Sequence, residues 1–424
     1  MADPPRSDYD AVIVGASLAG SSAAILLGRA GARVALVDKR PEIDAFKRVC
    51  GHFIQASAVP TLERLGLLDE IEAAGATRCK ARIWSRWGWI EPSPRSTAPA
   101  SVNLRREHLD PIMRRAAAGT PGVDLILGRP CEALLGDGRA VAGVELGGRG
   151  DQRTRLRASL VIGADGRGSR VAELAAMPAR TTPHGRFAYA AYYEGPAPPG
   201  APDGSLWFTD PQWAAAFPTD NRVVNYACMP TKDRLGEFKR DPARALTDFI
   251  VSLPDAPPIL DSKRISPMIG KLEMPNVSRR PTAPGLALIG DALLATDPVW
   301  GVGCGWAFES AEWLAESVAA ALVDSEDLGR GLARFRRTYR RRITPHAAMI
   351  ADYATGRPLN PMERFLFAAA ARDDLTALRL EAFATRTVGP QALGRPRTIG
   401  RAAAVNARAL LPGRRRGALG AQPA

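Results

Sequence analysis

Three stretches of this chain carry residue types that could hold a phosphorylated ligand. Gly15-Ala16-Ser17-Leu18-Ala19-Gly20 follows the apolar run "DAVIV" and opens a run of small and apolar residues. Glycines in that pattern permit a tight turn, let backbone approach a pyrophosphate, and let a helix pack closely on a strand. Amides at the helix start, with roughly half a positive charge of macrodipole, would hold the phosphates. Ser17 could donate to one of them through its hydroxyl. The next apolar run, "ARVALVDK", ends in Asp38 and Lys39. A carboxylate there accepts from a ribose hydroxyl and disfavours a 2′-phosphate, so the expected ligand is FAD or NAD.

Two later stretches place aspartate and glycine after a buried strand. "LVIGADGRGSRVAEL", residues 160–174, does so with Asp165 and Gly166. "PGLALIGDALLATDPVWGVGCGWAFESA", residues 284–311, does so with Gly290 and Asp291, and then opens a long helix after Pro298 at Gly301-Val302-Gly303-Cys304-Gly305. Glycine at 301, 303 and 305 would clear side chains from a surface against which a flat ring must lie. His52 is the candidate proton carrier, and Arg48 would contact the ring or an anionic substrate.

These residues need a scaffold that returns its strand ends to one edge. The order of elements predicts an α/β chain with a Rossmann-type, three-layer, mostly parallel sheet, interrupted twice by β material. Residues 1–78, 101–175 and 280–327 are expected to form a discontinuous dinucleotide-binding domain. Residues 79–100 and 176–279 would form an inserted β-rich substrate domain, 328–410 a C-terminal helical extension, and 411–424 a disordered tail.

Composition narrows the class. The chain has 424 residues, 46% of them hydrophobic, enough for a large core without staples. Five scattered cysteines without a CxxC pair, and dispersed histidines without an HExxH, argue against a disulfide framework and a metal site. No charged-then-apolar leader opens the sequence, and no apolar run reaches the roughly 18 residues needed to span a bilayer, so a cytoplasmic setting is expected. The net charge of +13 is concentrated at Arg330, Arg334, Arg336, Arg337 and Arg340 to Arg342, and at Arg414 to Arg416. That pattern reads as a solvated helix face and tail, or as weak attraction to an anionic membrane surface. Without interleaved aromatic residues it argues against nucleic acid. Oligomeric state is not legible.

Taken together, the three stretches resemble the fingerprints of FAD-dependent oxidoreductases of the para-hydroxybenzoate hydroxylase and geranylgeranyl reductase superfamily. "LRREHLDPIM" is similar to a further segment of these families, and "FKRVCGHFIQASAVPTLERLGLLDEI" resembles the geranylgeranyl-reductase-like branch. The resemblance covers about residues 1–330. It implies non-covalent FAD, with Gly15, Ser17, Ala19, Gly20, Asp38 and Lys39 on the adenine and phosphate side and Arg48 at the flavin or the substrate's anion. Arg106 would reach the pyrophosphate, Asp165 and Gly166 would lie near it, and Gly290 with Asp291 would meet the ribityl chain. Pro298, Gly301, Val302 and Gly303 would meet the ring, and Cys50 and Cys304 would fall close to it, with packing as the default and covalent flavin attachment or thiol chemistry as the alternatives. NAD(P)H is implied as a transient electron donor. One departure bears on its docking: the family arginine three residues beyond the serine falls here on Ala172, with Arg170 beside Ser169. A separate flavin reductase is the other source of electrons.

The resemblance leaves the reaction open among four readings. The first is a monooxygenase acting on an aromatic or polyketide-like molecule through a C4a-hydroperoxyflavin with oxygen, the reading that asks least of the protein. The second is an ene-reductase or dehydrogenase on an isoprenoid-like or other lipophilic substrate, the third a halogenase, the fourth a flavin-binding module without turnover. Prenyl reductases carry Tyr-x-Trp-x-Phe-Pro; here "QWAAAFP" keeps Phe217 and Pro218 but has Trp213 and Ala215 at the first two places. "WGWIEP" imitates a halogenase run but has Glu91 in place of isoleucine and precedes Arg106, so it reads as a decoy. Trp84, Trp213 and Phe217 are the expected contacts to a flat, apolar substrate.

Overall fold

The computed structural model describes residues 8–50, 52–148, 153–324 and 326–411. The tail expected at 411–424 lies, apart from Leu411, outside the described residues. The first strand, Asp8–Val14, is apolar through its centre and lies between Val34–Asp38 and Thr154–Gly163. All three run parallel, and Leu286–Leu288 and Val123–Leu127 extend the same sheet on either side. Strands buried on both faces read as near-continuous apolar runs, as "VALVD" does here with every residue buried. The antiparallel strands Cys131–Gly136 and Val141–Leu146 extend from Thr154–Gly163.

Helix Leu18–Arg29 packs between Arg106–Ala118 and the long helix Val302–Val323. Close packing is possible because its facing residues are small: Gly20, Ser21, Ala23 and Ala24 are all buried. This sheet returns the ends of three parallel strands, at Gly15, Asp38 and Ala164, to one edge.

A second sheet is built from Ala188–Glu194, Gly204–Phe208, Trp213–Pro218 and Val223–Met229. Ala81–Ser85 joins it in parallel beside Gly204–Phe208, so residues far apart in the chain share one sheet. Period-two alternation gives it two faces. Leu206, Phe208, Trp213, Ala215 and Phe217 face the core shared with the first sheet. Trp207, Ala214, Ala216 and Tyr226 face a separate cluster with Phe238, Leu246 and Phe249. Those last three belong to the helices Leu235–Arg240 and Pro242–Val251, a helical layer that the mostly β reading of this insert did not include.

From residue 328 the chain is helical: Leu328–Arg342, Thr344–Tyr353, Pro361–Ala370, Asp374–Ala384 and Pro396–Leu410. The first buries Leu332, Phe335 and Tyr339 and leaves most of its arginines exposed, as a solvated basic face. Among the described residues no helix is long and apolar enough to cross a membrane, and no cluster of metal-ligating side chains occurs.

Candidate cofactor and active site

The glycine turn is held by charges that sequence spacing did not reveal. Gly15 has φ +108°, a conformation that only glycine adopts at low cost. A Cβ on it would lie 2.5 Å from the Ala164 carbonyl oxygen, so the turn is pressed against the end of the neighbouring strand, beside Asp165. Asp38 stands at its expected strand end but has another task. Its carboxylate accepts from the Ala16 amide at 2.9 Å, from Arg40 at 3.1 Å and from Arg114 at 3.1 Å. With so many donors and almost no exposure it struts the turn, and the free ribose acceptor expected of it is not what the structure presents. Burial opposes its charge, but Arg40 holds the carboxyl below its usual range. Fully buried Arg114 completes the strut by donating to the Ala16 carbonyl at 2.7 Å.

Arg106 comes to the middle of the turn. Its guanidinium donates to Ser17 Oγ at 2.7 Å and to Asp110 Oδ1 at 2.5 Å. Asp110, one helical turn on from Arg106, also accepts from the Lys47 amide at 2.8 Å. Lys47 Nζ reaches Asp291 at 2.7 Å, so one segment bridges the glycine turn and the start of the late helix. Burial opposes the charge on Asp291, and Lys47 outweighs it to keep the carboxyl below its usual range.

The three glycines at the late helix divide their work. Gly303 faces open space, so a bulky ligand edge fits there. Gly301 has φ +64° and would drive a Cβ into the Phe53 ring. Gly305 makes room for the Arg386 guanidinium instead of a flat ring, a correction to the expected shared role. Arg386 arrives from the C-terminal helices and donates to Glu309 at 2.6 Å, to Ser57 at 2.9 Å and to Gln55. No local motif marks it, because its partners lie 77 to 331 positions away. Pro298 and Val302 flank this turn; the Gly301 amide donates to the Pro298 carbonyl at 2.8 Å. Gly290 fits against Ala19, where a Cβ would come within 2.9 Å. Gly20 is equally tight, its added Cβ striking the Gly15 carbonyl.

Other expected residues stand apart from the cradle. Lys39 and Arg48 are exposed. Asp165 accepts from Ser169 Oγ at 2.5 Å and from the Val171 amide at 3.0 Å, so it caps a short helix while Gly166 beside it faces open space. Arg170 pairs with Glu173 at 2.8 Å on the surface and does not replace the family arginine. Trp84 packs on the outer face of the second sheet, because alternation puts its neighbour Ile83 on the inner one. Trp213 and Phe217 do face inward, Phe217 against Phe53 at a ring separation of 4.9 Å.

His52 is a hydrogen-bond donor and not a proton carrier at neutral pH. Its Nδ1 accepts from the Arg106 amide at 3.1 Å, which puts the ring proton on Nε2. Burial pushes its pKa down to about 4. Nε2 has no protein partner among the described residues, nor has the Tyr192 hydroxyl, whose ring lies 5.1 Å away.

A pH prediction follows. His346, stacked on Phe383 at 5.3 Å, is likewise pushed down to about 4 by burial. Unfolded chains protonate histidine near 6.5, so between about pH 6.5 and 4 the unfolded state binds more protons. Stability from each ring is complete above that window and is lost as pH falls through it, on the order of 3 kcal/mol per histidine. Urea unfolding at pH 7 and pH 5 should show this loss, and His346→Gln should flatten it.

The open space at Gly303 and Gly166, the tight backbone at Gly15, and Ser17, Arg106 and Lys47 lining one track all fit a flavin dinucleotide. Comparison with known proteins agrees. Residues 8–353 match the family model described as FAD binding domain. Digeranylgeranylglycerophospholipid reductase 1 of Methanococcoides burtonii is 27% identical over 352 residues, covering 79% of this chain and 80% of that protein. The 6-methylpretetramide 4-monooxygenase of Streptomyces rimosus is 30% identical over 174 residues, 40% of this chain and 41% of the relative. The myxobacterial chondrochloren halogenase superposes with a TM-score of 0.71 at 20% identity, covering 96% of this chain and 99% of that one, a likeness of fold. The chain therefore belongs to the FAD-binding-domain family and is a FAD-dependent oxidoreductase, in a family for which NAD(P)H is the typical electron donor.

Proposed function

We propose that this chain is a monooxygenase that hydroxylates or epoxidises an aromatic or polyketide-like molecule, using NAD(P)H and oxygen. The observation that carries this reading is an apolar cavity of about 220 Å³ one residue from the glycine cradle. Its walls include Phe208, Trp300, Leu366, Phe367, Leu380 and Phe383. Trp300, which lines it, directly precedes Gly301 in the chain, and the Gln55 side chain donates to the Trp300 carbonyl at 2.6 Å. Trp300 has φ +67°, an unusual backbone for a large residue, which marks a held position.

When bound, FAD supplies the redox chemistry, carrying electrons from NAD(P)H to oxygen. The protein's residues hold a flat substrate and exclude water. The ionisable groups of the cavity wall are engaged elsewhere. Glu363 caps its own helix through Asn360 and pairs with Arg357 at 2.7 Å. The Tyr353 hydroxyl points to the Pro211 carbonyl at 3.4 Å. A wall without a free acid suits oxygen delivery better than ene reduction, which must also place a proton on carbon. It holds no lysine either, which disfavours a hypohalous-acid route. The monooxygenase relative supports the same reading, while the prenyl-lipid reductase relative keeps reduction as the competing outcome.

Turnover of a panel of phenols and lipophilic polyenes under ¹⁸O₂ tests it. Product carrying one labelled oxygen is expected. Unlabelled, saturated product formed anaerobically would establish the reductase instead. Leu366→Arg should fill the cavity and raise KM more than about tenfold, with FAD retained, because the change lies off the cradle and an apolar contact is replaced by a charge.

A further inference from the structure

Four of the five cysteines are buried and Cys50 is partly buried, but only Cys50 and Cys304 have their sulfurs in contact. Burial pushes the Cys79 and Cys131 thiols up to about 12, and Cys228 higher, so these are inert. Cys50 and Cys304 instead face each other, Sγ to Sγ at 3.5 Å, across most of the chain's length. Cys50 Sγ also receives the His52 amide at 3.4 Å and Arg106 Nη1 at 3.4 Å. Cys304 lies in the first turn of the 22-residue helix Val302–Val323. The Cys304 thiol, with Arg106 and Lys47 nearby, favours the Cys50 thiolate, while the same pairing pushes the Cys304 thiol up. Two sulfurs in contact, with the Arg106 guanidinium donating to one of them, have the arrangement of an attacking and a resolving thiol.

Cys50 is also the end of a strap. Backward from it, Lys47 is tied to Asp110 by its amide and to Asp291 by its ammonium group. Further back, the Glu42 carbonyl accepts from Arg114 at 2.7 Å. The strap therefore spans the cradle from the glycine turn to the late helix. Its far end meets the late helix at the contact between the two sulfurs, and just beyond it His52 accepts from the Arg106 amide and Phe53 pairs with Asn103.

We propose that Cys50 and Cys304 are a peroxide-oxidisable pair, a modification site whose closure to a disulfide latches this strap over bound FAD. The oxidant is hydrogen peroxide, the two-electron reduction product of oxygen. The Cys50 thiolate attacks one peroxide oxygen and breaks the O–O bond, giving a sulfenic acid and hydroxide. The Cys304 sulfur then attacks the Cys50 sulfur and expels its oxygen. Each step releases a hydroxide; the Cys304 proton and the proton that Cys50 gave up on ionising convert them to water, so two thiols lose two electrons and peroxide becomes two waters. Closing the sulfurs to a bond requires an approach of about 1.5 Å. A thiol reductant reverses the step.

The FAD-loaded protein, treated with a few equivalents of peroxide and then denatured and alkylated, tests this. Two of the five thiols should be lost, with a mass lower by two hydrogens and one linked peptide joining Cys50 to Cys304. Dithiothreitol should restore all of them. Cys304→Ser should abolish the link and leave Cys50 as a sulfenic acid that dimedone captures, and Cys50→Ala should abolish both products. After dilution, FAD should leave the oxidised wild type about tenfold more slowly than the reduced form, a difference absent from Cys304→Ser. Five thiols surviving peroxide, a link through any other cysteine, or equal FAD release from oxidised and reduced protein would overturn the proposal.

Discussion

Replacing Asp297 with alanine is expected to destabilise the chain by about 3–5 kcal/mol, the cost of stranding a buried charge. Asp297, His184 and Arg186 are all buried, and the carboxylate lies 2.6 Å from His184 Nε2 and 2.9 Å from Arg186 Nη2. Its other oxygen accepts from the Val299 amide at 2.7 Å, and its own amide donates to Asn276 at 2.8 Å. Without the carboxylate, Arg186 keeps only the Pro211 carbonyl at 3.0 Å and the Tyr353 ring at 4.4 Å. The same change frees the turn that carries Trp300, so the cavity wall loosens as stability falls. Burial raises the carboxyl's pKa, but His184 and Arg186 bring it below the usual value. Its contribution is therefore complete above the unfolded value near 4 and is lost as pH falls below it. Urea unfolding at pH 7 measures the loss. A change under about 1 kcal/mol would show that the cluster is not what holds this turn.

Gly15→Val should weaken FAD binding more than about 100-fold, or about 2.8 kcal/mol. Its φ of +108° strains any side chain, and the new Cβ would meet backbone atoms of Ala164 and Asp165 at 2.5–2.9 Å. Backbone cannot swing aside as a flexible side chain can, so the turn must move and its amides lose their aim. Gly236→Ala, where nothing lies within 4 Å of the added carbon, serves as the control and should bind FAD normally. Flavin fluorescence titration, with circular dichroism to confirm folding, reads both.

Much of the cradle was legible because it is local. The glycine turn, the strand ends at Asp38 and Ala164 and the helix opening at Val302 are each fixed by short-range steric demands. What stayed hidden depends on long-range pairing. Alternation along Ala81–Ser85 and Gly204–Phe208 groups residues by face, but only packing decides which face is inward, and it turned Trp84 and Trp207 outward. Asp38 was read as free for a ribose because nothing nearby announces Arg114. Gly305 looked like part of a ring platform, and only Arg386 explains it. The tautomer of His52 depends on an amide contributed by a distant helix start. The C-terminal helices, read as an appendage, supply most of the cavity wall.

The most direct test of this account is an equilibrium titration of cofactor-free protein with FAD, for the wild type and for Gly303→Leu. One FAD per chain should bind the wild type, and filling the open space at residue 303 should abolish binding without unfolding the chain. A colourless wild type that binds no FAD, or a Gly303→Leu protein that binds it as tightly, would contradict a cradle formed where the three segments meet.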